Sequence, residues 1–119
     1  MPRFAVVEHD HPTPHWDLFL EDGPALRSWR LLSRPAAGPV IVAEPTPAHR
    51  LVYLDYEGPV SGGRGTVTRF DAGPFEWVVD QPDGVVVRLA GRVLVGQAEL
   101  RGGDAGWTFT LRVPCEPGA

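Results

Sequence analysis

Lysine is missing from this 119-residue chain: all 11 basic residues are arginine. Cysteine occurs once, as Cys115, so no internal disulfide can form, which fits a reducing compartment such as the cytoplasm. No run of about 18 apolar residues occurs, which argues against a membrane-spanning helix. The opening Met-Pro-Arg-Phe-Ala-Val-Val-Glu8 lacks the basic and apolar regions of an export signal, so a cytoplasmic location is expected. Nothing resembles a nucleophile elbow, and Cys115 lies in a proline-rich tail, so nucleophilic catalysis is not expected. A formal charge of −4 argues against wrapping long stretches of nucleic acid. It leaves room for gripping one DNA or RNA end, where a divalent cation and a few arginines suffice. An arginine-only basic set is first of all what genome composition produces.

What is present points to β-structure. With 43% hydrophobic and 22% charged residues, the chain predicts one soluble domain over residues 1–119. Gly 14 and Pro 13 punctuate it at short intervals. The segments between are rich in Val, Leu, Thr and aromatic residues, and no long stretch repeats every 3.6 residues. This is the pattern of an all-β barrel or sandwich. Strands are expected at 3–8, 15–21, 25–32, 40–43, 50–56, 65–71, 75–79, 85–90, 93–99 and 107–113. Turn signals fall at Glu21–Pro24, Asp71–Gly73, Asp80–Gly84 and Arg101–Gly106, the last two as hairpin connections. Residues 32–47, with Pro35, Pro39, Pro45 and Pro47, read as a long loop with one short edge strand.

The chemistry concentrates in Glu8-His-Asp-His-Pro-Thr-Pro-His-Trp-Asp-Leu-Phe-Leu-Glu21. Alternation after Pro14 places His15 and Asp17 on one face of a strand, away from Leu18 and Leu20. The link Asp10–Pro14 can turn the chain back and bring His9 beside them. Two imidazoles and a carboxylate are a typical ligand set for a divalent transition ion, with positions left open for substrate. A hydrogen-bonded surface His-x-Asp pair has the same sequence, and His11 shows that histidines cluster here anyway. If the strand beginning at His49 lies beside the metal strand, His49 and Tyr53 face the same pocket. A histidine there can protonate a leaving oxygen and a tyrosine hydroxyl can hold a substrate oxygen. A half-buried core tyrosine is the simpler account of Tyr53. Ser61-Gly-Gly-Arg-Gly65 has amides that could cradle a phosphate. It lacks the spacing and lysine of a P-loop, and a tight turn is the expectation. Arg27 and Arg30 flank Trp29, a residue type that in a small β-domain is more often core than nucleic-acid contact.

Four ordered motifs resemble the 3′-phosphoesterase domain of bacterial ligase D and its small stand-alone relatives. The family's histidine, five residues, then His-aromatic-Asp-x-Arg-x-Glu reads here as His9, then His15-Trp-Asp17-Leu-Phe19-Leu-Glu21. Its Ser-Trp step is Ser28-Trp29. Its His-x-x-x-Tyr followed by Asp-aromatic-Glu-Gly is His49, Tyr53 and Asp55-Tyr-Glu-Gly58. Its Gly-x-Gly-x-Val strand and aromatic-Asp are Gly63–Val67 and Phe70-Asp71. The resemblance runs from Arg3 to about Gly73 and more loosely through Trp107–Val113.

It implies a single-domain β-barrel with flanking hairpins and Pro-rich loops, housing a manganese site that trims 3′ phosphates or 3′ ribonucleotides from nucleic-acid ends. A polymerase or ligase would then act on the product. By position, His9, His15 and Asp17 would hold the metal, and His49 and Tyr53 would contact the scissile phosphate. One departure stands out: the family arginine is Phe19 here, which offers neither charge nor donor. Arg30, Arg50 and Arg64 are the candidates to contact substrate in its stead. A catalytically impaired module that binds a metal or a nucleic-acid end is the alternative. A third reading has the same metal chemistry act on a smaller phosphoester, with Phe19 stacking on its ring.

Overall fold

The computed structural model describes residues 1–113; Cys115 lies outside them. Nine strands form one antiparallel sheet: β1 (Arg3–His9), β2 (His15–Asp22), β3 (Ala25–Leu31), β4 (Ile41–Arg50), β5 (Gly58–Pro59), β6 (Thr66–Gln81), β7 (Gly84–Ala90), β8 (Val95–Gly103) and β9 (Gly106–Arg112). Their order is β1-β2-β3-β4-β9-β8-β7-β6-β5, and β6 also pairs with β1. That pairing closes an eight-stranded all-β barrel and leaves the short β5 outside the ring. Closure removes the open sheet edges at which chains otherwise aggregate. Among the described residues no helix is long and apolar enough to cross a membrane.

The barrel interior is filled by one parity of each strand, including Phe4, Val6, Leu18, Leu20, Trp29 and Phe109, all buried. A second, smaller cluster lies on the outer face of the wall, where Ala5, Val7, Phe19, Leu26 and Val67 meet Leu54. Strand β1 is therefore apolar on both faces, which is why Phe4-Ala-Val-Val7 reads as a continuous apolar run rather than an alternation. Trp29 is core, as its residue type suggested. Arg27 lies over both the Trp29 and Trp77 rings at 5.3 and 5.4 Å and pairs with Asp80 at 2.7 Å, which occupies its charge within the fold.

Three sequence expectations need correction. The strand expected at 50–56 is instead a 3₁₀ turn, Leu51–Leu54. Strand β4 has run out of partner there, because Arg50 pairs with Ala25, the first residue of β3. Residues three apart align on a 3₁₀ turn, so Leu51 and Leu54 drop together onto the outer cluster. The loop expected at 32–47 yields to β4 from Ile41 onward. Past Ala43 this strand pairs with β3 alone, so Pro45 and Pro47 interrupt no two-sided ladder.

The turn expected at Asp71–Gly73 is a corner inside the 16-residue β6, which leaves β1 at Pro74 and joins β7 at Phe75. A bulge skips Phe70 between the Val6 and Val7 pairings. A Cβ on Gly73 would stand 2.4 Å from the Ala90 carbonyl, so glycine is what lets β7 approach the corner. The buried Asp71 fastens this end of the barrel. Its carboxylate accepts the backbone N–H groups of Arg92, Val93 and Leu94 at 2.9, 3.1 and 2.7 Å.

Candidate metal centre and cleft

The β1–β2 hairpin places His9 directly opposite His15, and Val7 opposite Asp17. Residues 10–14 are its connection. His9, His15 and Asp17 all project from the outer face of the barrel wall, beside the second cluster, and their ligand atoms lie within 4.8 Å of one another. Nε2 of His15 stands 3.5 Å and Nδ1 of His9 3.9 Å from the same Asp17 oxygen, Oδ2.

Each imidazole is held by its other nitrogen. His9 Nε2–H donates to the Arg64 carbonyl at 2.7 Å, and His15 Nδ1–H donates to the Thr13 carbonyl at 2.9 Å. Carbonyls only accept, so these contacts fix both tautomers and leave the lone pairs of His9 Nδ1 and His15 Nε2 turned toward Asp17. His15 Nε2 is buried without a hydrogen-bond partner, in a side chain only 3% exposed. A buried acceptor without a donor is costly. One cation between the two nitrogens and the carboxylate satisfies it, so the donor set fits a divalent ion.

The carbonyl that orients His9 comes from the glycine loop. The expected tight turn is there, closed by Val60 N–H to the Gly65 carbonyl at 2.8 Å. Gly65 adopts φ +79°, and a Cβ on it would fall 2.1 Å from Asp10 Oδ1 and 2.6 Å from His11 Cβ. Asp10 Oδ1 in turn accepts Thr66 N–H at 2.7 Å. The loop thus packs against the β1–β2 connection and carries the Arg64 carbonyl to His9.

Beside the cluster opens a cleft of about 660 Å³, lined by every remaining candidate: Arg30, His49, Arg50, Tyr53 and Arg64, along with His9 and Asp17. His49 and Tyr53 arrive there by a route that strand alternation did not foresee. His49 is on β4, which is separated from β2 by β3, and Tyr53 sits on the 3₁₀ turn. The two rings meet edge to face, 5.7 Å between centroids and perpendicular. Phe19 supports His49 from beneath at 5.1 Å. It is 4% exposed, belongs to the outer cluster and lines the cleft as part of its floor.

The cap over this cleft is the 51–60 segment. Arg69 donates to the Leu54 carbonyl at 3.1 Å, and Glu57 accepts the Arg69 backbone N–H at 2.9 Å. Arg3 makes two hydrogen bonds to the Asp55 carboxylate at 3.2 Å. That contact holds the Asp55 carboxyl below the usual range, with nearby Arg69 adding to the effect. The pair stabilises the cap at neutral pH, and its contribution is lost as pH falls through the lowered Asp55 value. Both groups are largely exposed, so the contribution is small.

Sequence reasoning missed two kinds of participant. The Thr13 and Arg64 carbonyls carry no signal, since every residue has one. Thr46 and Ser28, whose hydroxyls are buried without partners near the cleft, lie in or opposite a stretch that its prolines marked as loop. A second hollow of about 570 Å³, at Glu8, Arg34 and Phe70, holds none of the candidate residues.

The model of the DNA Ligase D 3′-phosphoesterase domain matches residues 7–102. The chain is also similar to the multifunctional non-homologous end joining protein LigD of Pseudomonas aeruginosa, 28% identical over 120 residues. That alignment covers 88% of this chain and 14% of the Pseudomonas protein, so the chain corresponds to a small part of it. The matched span contains the His9, His15 and Asp17 cluster, the cap and the glycine loop, and on this match the chain belongs to the DNA Ligase D 3′-phosphoesterase domain family.

Proposed function

We propose that this chain is a metal-dependent phosphoesterase that removes 3′-phosphate or 3′-ribonucleotide ends from nucleic acid during DNA repair. The observation that carries the reading is the buried, unpartnered His15 Nε2, turned with His9 Nδ1 toward one oxygen of Asp17. These three residues would hold a divalent ion, manganese in our reading. When bound, the ion supplies Lewis-acid polarisation of a phosphoryl oxygen.

The other roles fall to side chains of the cleft. Tyr53 offers its hydroxyl to a phosphate oxygen. His49, whose ring meets those of Phe19 and Tyr53 and whose buried Nδ1 has no partner, would give a proton to the departing oxygen. Water adds to phosphorus in each of two steps: at a terminal ribonucleotide the bond from phosphorus to the nucleoside 5′ oxygen breaks, which releases the ribonucleoside and leaves a 3′ phosphate, and at that phosphate the bond to the 3′ oxygen breaks, which releases inorganic phosphate and leaves a 3′ hydroxyl. A 3′-hydroxyl end is what a repair ligase or polymerase requires, and an enzyme of that class is the partner we propose.

The test is release of 3′ phosphate and 3′ ribonucleoside from a labelled primer–template with Mn²⁺, beside His15→Ala. Release by the natural protein and none by the variant is expected. Equal release by both would overturn the reading. Phe19 favours a second one: a buried, donorless side chain at the family arginine position suits a module that binds ends without cutting them. That case would give manganese-dependent retention of a 3′-phosphorylated end with no release.

The glycine loop gives a further check. Gly65→Ala introduces a Cβ against Asp10 and His11 and strains a positive φ. The loop must shift, and the Arg64 carbonyl leaves His9. Loss of such an orienting partner is expected to lower Mn²⁺ affinity about 10- to 100-fold, as read by titration calorimetry.

A further inference from the structure

We propose that Arg30, with the hydroxyl of Thr46, forms an oxyanion subsite beside the metal cluster and is the arginine that grips the substrate phosphoryl group. The assignment rests on the proposed function and singles out one of the three cleft arginines.

Arg30 is the direct neighbour of Asp17 across the β2–β3 ladder, so the two side chains leave the wall on the same outer face. Ser28 is the neighbour of Phe19 on one side and of Thr46 on the other. Four polar atoms on this stretch of wall are buried without any hydrogen-bond partner: Arg30 Nε, Ser28 Oγ, Thr46 Oγ1 and His49 Nδ1. Scattered orphans are an ordinary minor defect of a fold. Trp29 Nε1 is a fifth on these two strands but belongs to the barrel core; of the other four, three are on residues that line one cleft and can meet a ligand there. Among the described residues Arg30 forms no ion pair, although its cross-strand neighbours are Asp17 and Glu44.

The other two arginines are already engaged. Arg64 donates Nε to the Ser61 carbonyl at 2.8 Å and Nη2 to the Ser61 hydroxyl at 3.2 Å, which spends its fork on its own turn. Arg50 is exposed and lies over the Tyr53 ring at 5.9 Å. An anion with several oxygens, such as a phosphate ester, is the occupant that meets a guanidinium, the Thr46 hydroxyl and a neighbouring divalent ion together. The charge absent from position 19 is thereby supplied one strand away.

The experiment measures binding of two fluorescent oligonucleotides, one ending in 3′ phosphate and one in 3′ hydroxyl, with Mn²⁺ present, alongside phosphate release. The natural protein should prefer the phosphorylated end. Arg30→Gln should cut that preference about 10- to 100-fold, the weight of a charge-assisted hydrogen bond. Its Mn²⁺-induced rise in Tm should be unchanged, which separates substrate grip from metal binding and from folding. Arg88→Gln, on β7 and outside the cleft, should stay within about threefold of the natural protein.

Should Arg30→Gln fail to fold, Arg30→Lys and Thr46→Val carry the test. Lysine keeps the charge without the fork, and each variant should lose part of the preference. Undiminished preference in the folded Arg30 variants would overturn the subsite and leave the phosphoesterase reading standing. A natural protein that binds Mn²⁺ but neither prefers the phosphorylated end nor releases phosphate would overturn both.

Discussion

Asp17→Ala is expected to erase the response of the protein to Mn²⁺. At a hundredfold excess over its Kd, an ion bound only by the folded state stabilises it by about 2.7 kcal/mol. For a domain of this size that is a rise in Tm on the order of 10 °C. Asp17 supplies the only carboxylate of the cluster, and Oδ2 is the atom that both free imidazole nitrogens face. Removing it leaves two neutral donors and no anionic charge to offset a dication. The metal-dependent rise should therefore vanish in a thermal melt. Turnover should fall by about 10³-fold or more, because metal polarisation is worth several kcal/mol and each 1.36 kcal/mol is tenfold in rate. Without added metal the variant should melt close to the natural protein, since the carboxylate makes no hydrogen bond shorter than those distances. A full Mn²⁺ response in Asp17→Ala would remove the cluster from consideration as a metal site.

The second large effect is structural. Asp71→Ala should destabilise the fold by about 3–5 kcal/mol, a large share of the 5–15 kcal/mol that holds a typical domain. The carboxylate is 3% exposed and accepts three backbone N–H groups in succession. Its removal strands three donors at a closed barrel end. Asp71→Asn should recover part of the loss, because an amide oxygen still accepts while its NH₂ faces donors and repels them. The approach is close enough that Gly91 admits no side chain: a Cβ there would stand 2.2 Å from Asp71 Oδ2 and 2.8 Å from Phe4. Urea titrations of the two Asp71 variants check this, and a loss below 1 kcal/mol in Asp71→Ala would refute it. The aromatic-Asp motif at 70–71 is thus accounted for by barrel closure, and neither residue lines the cleft.

The barrel was legible in the sequence because turn chemistry and apolar alternation are local. The hairpins at 21–24, 80–84 and 101–106 fall where Gly, Pro and Asp marked them. The cluster was legible for the same reason: His9 and His15 are joined by one short connection, and Asp17 is two residues on. What failed depended on partners distant in the chain. Proline at 45 and 47 argues against a strand only if both edges are paired, and nothing local shows that β9 stops pairing at Ala43. Leu51–Leu54 alternates no worse than a strand, yet β3 offers it no neighbour. Gly73-Pro74 has turn composition and marks a corner because β7 takes over from β1 there. Position 19 was read for the donor it lacks. Its contribution as the floor beneath His49 is visible only once the outer cluster exists. Arg30 could be named as a substitute, but its advantage over Arg50 and Arg64 rests on which of the three is already bonded.

None of the side chains that fill the barrel interior lines the cleft. The vessel and the workshop are separate volumes that share only a wall, one strand thick. A change that widens the cap, recharges the glycine loop or moves an arginine between β2 and β3 is met by the small outer cluster and leaves the large core undisturbed. Such an arrangement decouples tolerance of mutation from stability. A substitution in the cleft wall therefore need not be matched by a more stable barrel.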